Sequence, residues 1–209
     1  MELSQKENII YWAKRLYQRQ MSPSTSGNIS IKTKNSILIT ASGTCANDLE
    51  KDDIVLIDFN GNLVEGNKKP SSEKIMHCEI YTKRDDIGAI IHCHCPVLCA
   101  WSVANAPMKM PILPDFAVLF DEIPIVPYYC PSTIELAQVT GEYFEDGCNA
   151  VLLQNHGIVL GAVNLKEAFY QLDLIRAYAE TWFGAEILGG AKPIRKKEVE
   201  ELRQLYRKK

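Results

Sequence analysis

Five side chains in this 209-residue sequence have the types and spacing to do chemistry, and two of them stand one residue apart. His92 and His94 fall in the stretch GAIIHCHCP, Gly88 to Pro96. An apolar run closed by proline reads as a short buried strand. Strand side chains alternate, so Ile90, His92 and His94 share one face while Ile91, Cys93 and Cys95 share the other. Two imidazoles about 7 Å apart at Cα can converge on one divalent ion, which zinc accepts at about 2.0 to 2.1 Å. A third ligand is needed, and His156 qualifies because it ends an apolar strand beside Gly157. The same histidine could equally serve the backbone of its turn. Three neutral imidazoles would leave an open coordination position, the arrangement of catalytic rather than structural zinc sites. His77, one helical turn after Glu73, reads as a structural partner for that carboxylate.

Glu73 opens a helix, where a carboxylate can act as acid and base or can merely match the helix dipole. Ser71 and Ser72 precede it with hydroxyls and N–H groups that suit an anion such as phosphate. Two glycine loops, Ser26-Gly27-Asn28 and Ser42-Gly43-Thr44, can add further donors.

The elements that position these groups are legible from periodicity. A helix over Ser4 to Arg19 has a capping box in Ser4 and Glu7. Strands follow around Ile29 and Ile31, over 36–40 and over Ile54 to Asp58, the last leading through Asn60-Gly61 into Leu63 and Val64. A helix begins near Pro70 and Ser71, and the histidine strand comes next. Pro96 to Ala104 reads as a helix, and APMKMPILPDF reads as irregular. Short strands are expected at Val118 to Phe120 and Ile123 to Val126, then a helix from Ser132 or Thr133 to Glu145. Strand, turn and strand follow around Asn155-His156-Gly157, then helices over Asn164 to Leu188 and Lys196 to Tyr206. The pattern predicts one α+β domain over 1–209, a largely antiparallel sheet covered on two faces.

Composition excludes several classes. A formal charge of -3 and a pI near 5.8 argue against a nucleic-acid binder. No run of about 20 apolar residues spans a membrane, and the N-terminus lacks a signal-peptide core, so a cytoplasmic chain is expected. Its seven cysteines read as reduced thiols.

SGNIS (Ser26 to Ser30), ITASG (Ile39 to Gly43), PSSE (Pro70 to Glu73), HCHCP (His92 to Pro96) and NHG (Asn155 to Gly157) together resemble, in this order, the class II aldolase/adducin family. The resemblance implies an α/β three-layer sandwich with a central, mainly antiparallel sheet. It implies that His92, His94 and His156 bind one zinc ion per subunit and that Glu73 is the catalytic base. Gly27, Asn28, Ser42, Gly43, Ser71 and Ser72 would hold a substrate phosphate. The implied reaction is reversible cleavage of a ketose 1-phosphate, L-fuculose 1-phosphate or similar, to dihydroxyacetone phosphate and an aldehyde such as lactaldehyde, in a homotetramer with sites at subunit boundaries.

One departure concerns the proton donor. The family's tyrosine after the histidine strand is missing from MPILPDFAV, which leaves Asp115 and the more distant Tyr206 as candidates. Related sugar-phosphate decarboxylases, epimerases and dehydratases are alternatives, although the epimerase carries aspartate where Glu73 stands. An adducin-like assembly module would not need the histidine triad. A structural zinc site drawing on Cys78, Cys93, Cys95 or Cys99 is disfavoured by strand alternation.

Overall fold

Alternating apolar residues and turn chemistry account for most of the sheet. The computed structural model describes residues 3–207. Its strands are β1 (Asn28–Lys32), β2 (Ile37–Thr40), β3 (Ile54–Ile57), β4 (Leu63–Glu65), β5 (Ala89–Cys93), β6 (Ile125–Val126), β7 (Ala150–Leu153) and β8 (Gly157–Ala162). They form one sheet in the order β4-β3-β2-β1-β5-β8-β7-β6. Pairing is antiparallel except between β6 and β7. The β3–β4 connection carries Gly61 at φ +80°, a left-handed conformation that glycine adopts without steric cost.

Seven α-helices complete the layers among the described residues: α1 (Gln5–Gln18), α2 (Lys74–Lys83), α3 (Pro96–Val103), α4 (Pro114–Leu119), α5 (Ile134–Glu145), α6 (Leu165–Ile187) and α7 (Lys196–Arg207). The expected capping box of α1 is present, with Ser4 accepting from the Glu7 N–H and Glu7 from the Ser4 N–H. On one face of the sheet Trp12, Leu16, Phe169 and Leu172 pack against Ile29, Ile31, Ile91 and Cys93. On the other, Met76, Ile80, Tyr81 and Phe144 from α2 and α5 pack against Ile39, Val55, Ile90 and Val159.

Strand β5 lies mid-sheet with both faces covered, and Ile90 and Ile91 are fully buried. Each contributes about 1.5 to 3 kcal/mol. The β1–β5 register sets Asn28 opposite His92 and Ser30 opposite Ile90, so these polar residues look toward α2 while Ile29 and Ile31 look toward α1.

Two expectations are corrected. Val118 to Phe120 is not a strand: α4 takes Val118 and Leu119, with Phe120 as its C-cap. Pro114 at the first turn presets a helical φ, and Phe116 stacks on Tyr178 with centroids 3.7 Å apart, packing that outweighs the β-propensity of the short apolar run. The segment 106–116 is also less irregular than expected, since Met108 bridges Ile123 and its last residues enter α4. Among the described residues no helix is long and apolar enough to cross a membrane.

Candidate active site

Two close backbone approaches bring the chemical groups together. A Cβ on Gly27 would lie 2.7 Å from the His92 carbonyl oxygen, and one on Gly157 would lie 2.5 Å from that of Cys93. Only glycine lets the loop before β1 and the start of β8 close on the end of β5. Asn155 adopts φ +57° in the three-residue turn, 154–156, that carries His156, a conformation asparagine tolerates better than most residues.

The histidine alternation is as expected: Ile90 joins the α2 side of the core, while Ile91, Cys93 and Cys95 join the other. His92 is buried at the end of β5, and His94 lies just beyond it. The rings of His92, His94 and His156 stand 4.8 to 4.9 Å apart, centroid to centroid. Glu73 completes the group, and one ligand atom from each of the four residues lies within 4.8 Å of all the others. Glu73 Oε2 is 2.9 Å from His92 Nε2, and Oε1 is 3.5 Å from His156 Nε2.

His92 Nδ1 lies 2.9 Å from the Ile158 carbonyl, which can only accept, so Nδ1 carries the proton. In the neutral ring, Nε2 then aims a lone pair at the Glu73 carboxylate and at His94 Nε2, 3.1 Å away. Glu73 Oε1 is buried without a hydrogen-bond partner. Converging acceptors of this kind fit a divalent cation, with the Nδ1–H to carbonyl bond fixing the ring as in other metal sites.

Without the cation a proton is the available substitute. Burial works against charging His92, but the Glu73 carboxylate overrides it and moves its pKa up. Burial would likewise raise the Glu73 pKa, and His92 reverses that to hold it well below the carboxylate range. Burial, aided by His92, lowers His94 and His156 to about 4, so both are neutral and able to ligate near pH 7.

Glu73 is not in the first turn of α2. It is the N-cap residue, makes no side-chain cap and points its carboxylate at the histidines. Nor does His77 pair directly with Glu73: its Nδ1 is 2.7 Å from Ser30 Oγ and its Nε2 is 2.5 Å from Asn28 Oδ1.

A cleft of about 290 Å3 opens from the cluster, lined by Gly27, Asn28, Ser42, Gly43, Ser71 and Ser72 together with Glu73, His94 and His156. Some expected donors are already engaged. The Ser71 N–H donates to Thr40 O and the Ser42 N–H to Lys69 O, which ties the two loops together, and the Ser71 hydroxyl accepts from the Glu73 N–H. Asn28 also serves Glu73 and His77. Sequence reasoning missed Pro131 and Ser132, which also line the cleft, Ser132 at φ +67°. The sequence marks Ser132 or Thr133 only as a helix start, and nothing local aims that start at the cleft. Asp115 and Tyr206 are not brought there; they share a separate groove with Leu119 and Tyr170.

Residues 7–183 match the family described as Class II Aldolase and Adducin N-terminal domain, and the chain belongs to that family. An L-fuculose phosphate aldolase of Methanocaldococcus jannaschii is 33% identical over 175 residues, covering 84% of this chain and 93% of the relative. A 5-deoxy-D-ribulose 1-phosphate aldolase of Bacillus thuringiensis is 31% identical, with 97% and 95% coverage. A 3-oxo-tetronate 4-phosphate decarboxylase of Haemophilus influenzae is 28% identical, with 87% and 88% coverage. A solved L-fuculose 1-phosphate aldolase superposes with a TM-score of 0.87 at 32% identity, covering 98% of each chain. The chain is thus an enzyme of the class II aldolase type, a metal-dependent lyase, and its Glu73, His92, His94 and His156 form a cluster that could bind the metal.

Proposed function

We propose that this protein is a zinc-dependent aldolase that reversibly splits a ketose 1-phosphate, L-fuculose 1-phosphate or a close analogue, into dihydroxyacetone phosphate and an aldehyde such as lactaldehyde. The observation that carries the reading is the placement of Glu73 against three imidazoles beside a cleft that Ser42, Ser71 and Ser72 also line. His92, His94 and His156 would hold the zinc, which supplies Lewis acidity toward the oxygen substituents of the ketone. Ser42, Ser72 and the glycine loops bind the phosphate and set the C3–C4 bond beside Glu73. Glu73 Oε1, free of any hydrogen-bond partner, exchanges a proton with C3 of dihydroxyacetone phosphate.

The aldolase-named relatives support this reading, and the decarboxylase-named relative supports a second one, decarboxylation of a 3-oxo-acid phosphate at the same site. Ketose 1-phosphates and 3-oxo-acid phosphates, assayed for dihydroxyacetone phosphate and for carbon dioxide, separate the two. Incubation of the zinc enzyme with dihydroxyacetone phosphate in heavy water should exchange one hydrogen at C3. Glu73→Gln should abolish exchange and lower kcat by about 10²- to 10⁴-fold. Exchange at the wild-type rate in a zinc-loaded Glu73→Gln protein would reject Glu73 as the base. We further place the enzyme in the cytoplasm, in keeping with its seven free thiols, as a homotetramer. Exposed Phe183, Ile187 and Leu188 near the end of α6 support self-association, and sedimentation equilibrium reads the stoichiometry.

A further inference from the structure

From Asn28, which lines the cleft, a line of buried polar groups runs back through His77 and Ser30 to Tyr81, and these last three do not line it. Tyr81 OH is 2.8 Å from Ser30 Oγ, which is 2.7 Å from His77 Nδ1; His77 Nε2 is 2.5 Å from Asn28 Oδ1, and Asn28 Nδ2 is 3.4 Å from Glu73 Oε2. Ser30 and His77 are fully buried, and Tyr81 nearly so.

Every proton in the line follows from its last member. An ionised carboxylate only accepts, so Asn28 must present its NH₂ to Glu73 and its oxygen to His77. His77 must then carry its proton on Nε2, which leaves Nδ1 to accept from the Ser30 hydroxyl. The Ser30 oxygen is free to accept from Tyr81. A flipped Asn28 amide would set its oxygen against the carboxylate and, with the His77 proton on Nε2, its NH₂ against that N–H as well.

We propose that His77 is a positioning residue: by donating from Nε2 to Asn28 Oδ1 it locks the amide in the one orientation that offers an N–H to Glu73 Oε2, and so aims Oε1 at the reacting carbon. This rests on the reading of Glu73 as the catalytic base. The low pKa of His77, brought to about 3 by burial first and by the nearby His92 second, keeps the ring neutral and its single proton assignable. Partners of this kind, one contact removed from the reacting groups, are commonly worth 10- to 100-fold in activity.

Two variants and one spectroscopic measurement test the proposal. His77→Gln retains a side-chain N–H able to reach Asn28, whereas His77→Leu fills similar space without one. The leucine enzyme should lose about 10- to 100-fold in kcat and in C3 hydrogen exchange, with KM and zinc content near wild type. The glutamine enzyme should stay within about threefold of wild type. Nitrogen-15 spectra of the histidines in wild-type protein, with and without zinc, should show His77 neutral and protonated on Nε2. Equal behaviour of the two variants in an exchange-competent background, or a proton on Nδ1, overturns the proposal. A wild-type enzyme that exchanges no hydrogen overturns the aldolase reading instead and leaves the Nε2 proton to decide the relay. Should the leucine protein fail to fold, the glutamine enzyme and the wild-type spectrum still decide it.

Discussion

A buried histidine held neutral has a consequence for stability that is separate from its place beside Glu73. The ordinary histidine pKa is near 6.5, and that of His77 in the fold is about 3. The unfolded chain therefore binds a proton that the native chain refuses, so this group's contribution is complete above about pH 6.5 and is lost progressively as the pH falls toward 3. Urea titrations of metal-free wild type and His77→Gln between pH 7 and 4.5 should diverge, the wild type losing up to about 1.4 kcal/mol more per pH unit at the acid end. Parallel profiles would contradict a neutral buried His77. Little in the local pattern of residues points to this role. His77 stands four residues from Glu73 on a helix, so local spacing paired the two, whereas its partners Asn28 and Ser30 lie on a strand far back in the chain. Alternation in NISIK did place Asn28 and Ser30 on one face, yet no local rule says which helix covers that face.

At the scale of elements, what could be read was whatever depended on neighbours in sequence. The alternation of the histidine strand, the Asn60-Gly61 turn and the caps at Ser4 and Asn164 all appear in the structure. Helix α4 did not follow from pattern, because the stacking of Phe116 on Tyr178 is a contact with a residue on α6. The close approach of β8 to β5 was equally hidden, although its glycine was visible. Gly157→Ala would force its new methyl against the Cys93 carbonyl, 2.5 Å away, and His94 Cδ2, 3.0 Å away. The strands must part there, so this substitution should cost about 1 to 3 kcal/mol and weaken zinc binding by shifting His94. Gly147→Ala is the control: its site has open space and a left-handed φ of +99°, so it carries backbone strain alone and should leave zinc affinity unchanged. Equal zinc affinities in the two variants would show that the approach is not needed for the metal cluster.

For the whole molecule, the cluster is assembled from residues numbered 73 to 156, carried by the start of α2, the end of β5 and the β7–β8 turn. Its strands lie in the middle of the sheet, and their register draws on β1 as well. That layout bears on the order of events in folding, since distant stretches of chain must already be paired before three imidazoles and a carboxylate face one point. An ion that recognises only the finished arrangement cannot guide the search for it. Added zinc should therefore leave the refolding rate within about twofold while slowing unfolding by about 100-fold at a free concentration 100 times its dissociation constant. Faster refolding with zinc would instead mean that the histidine pair of β5 captures the ion early and acts as a nucleus. A metal bound in this layout would act as a latch on a door that the sheet has already closed.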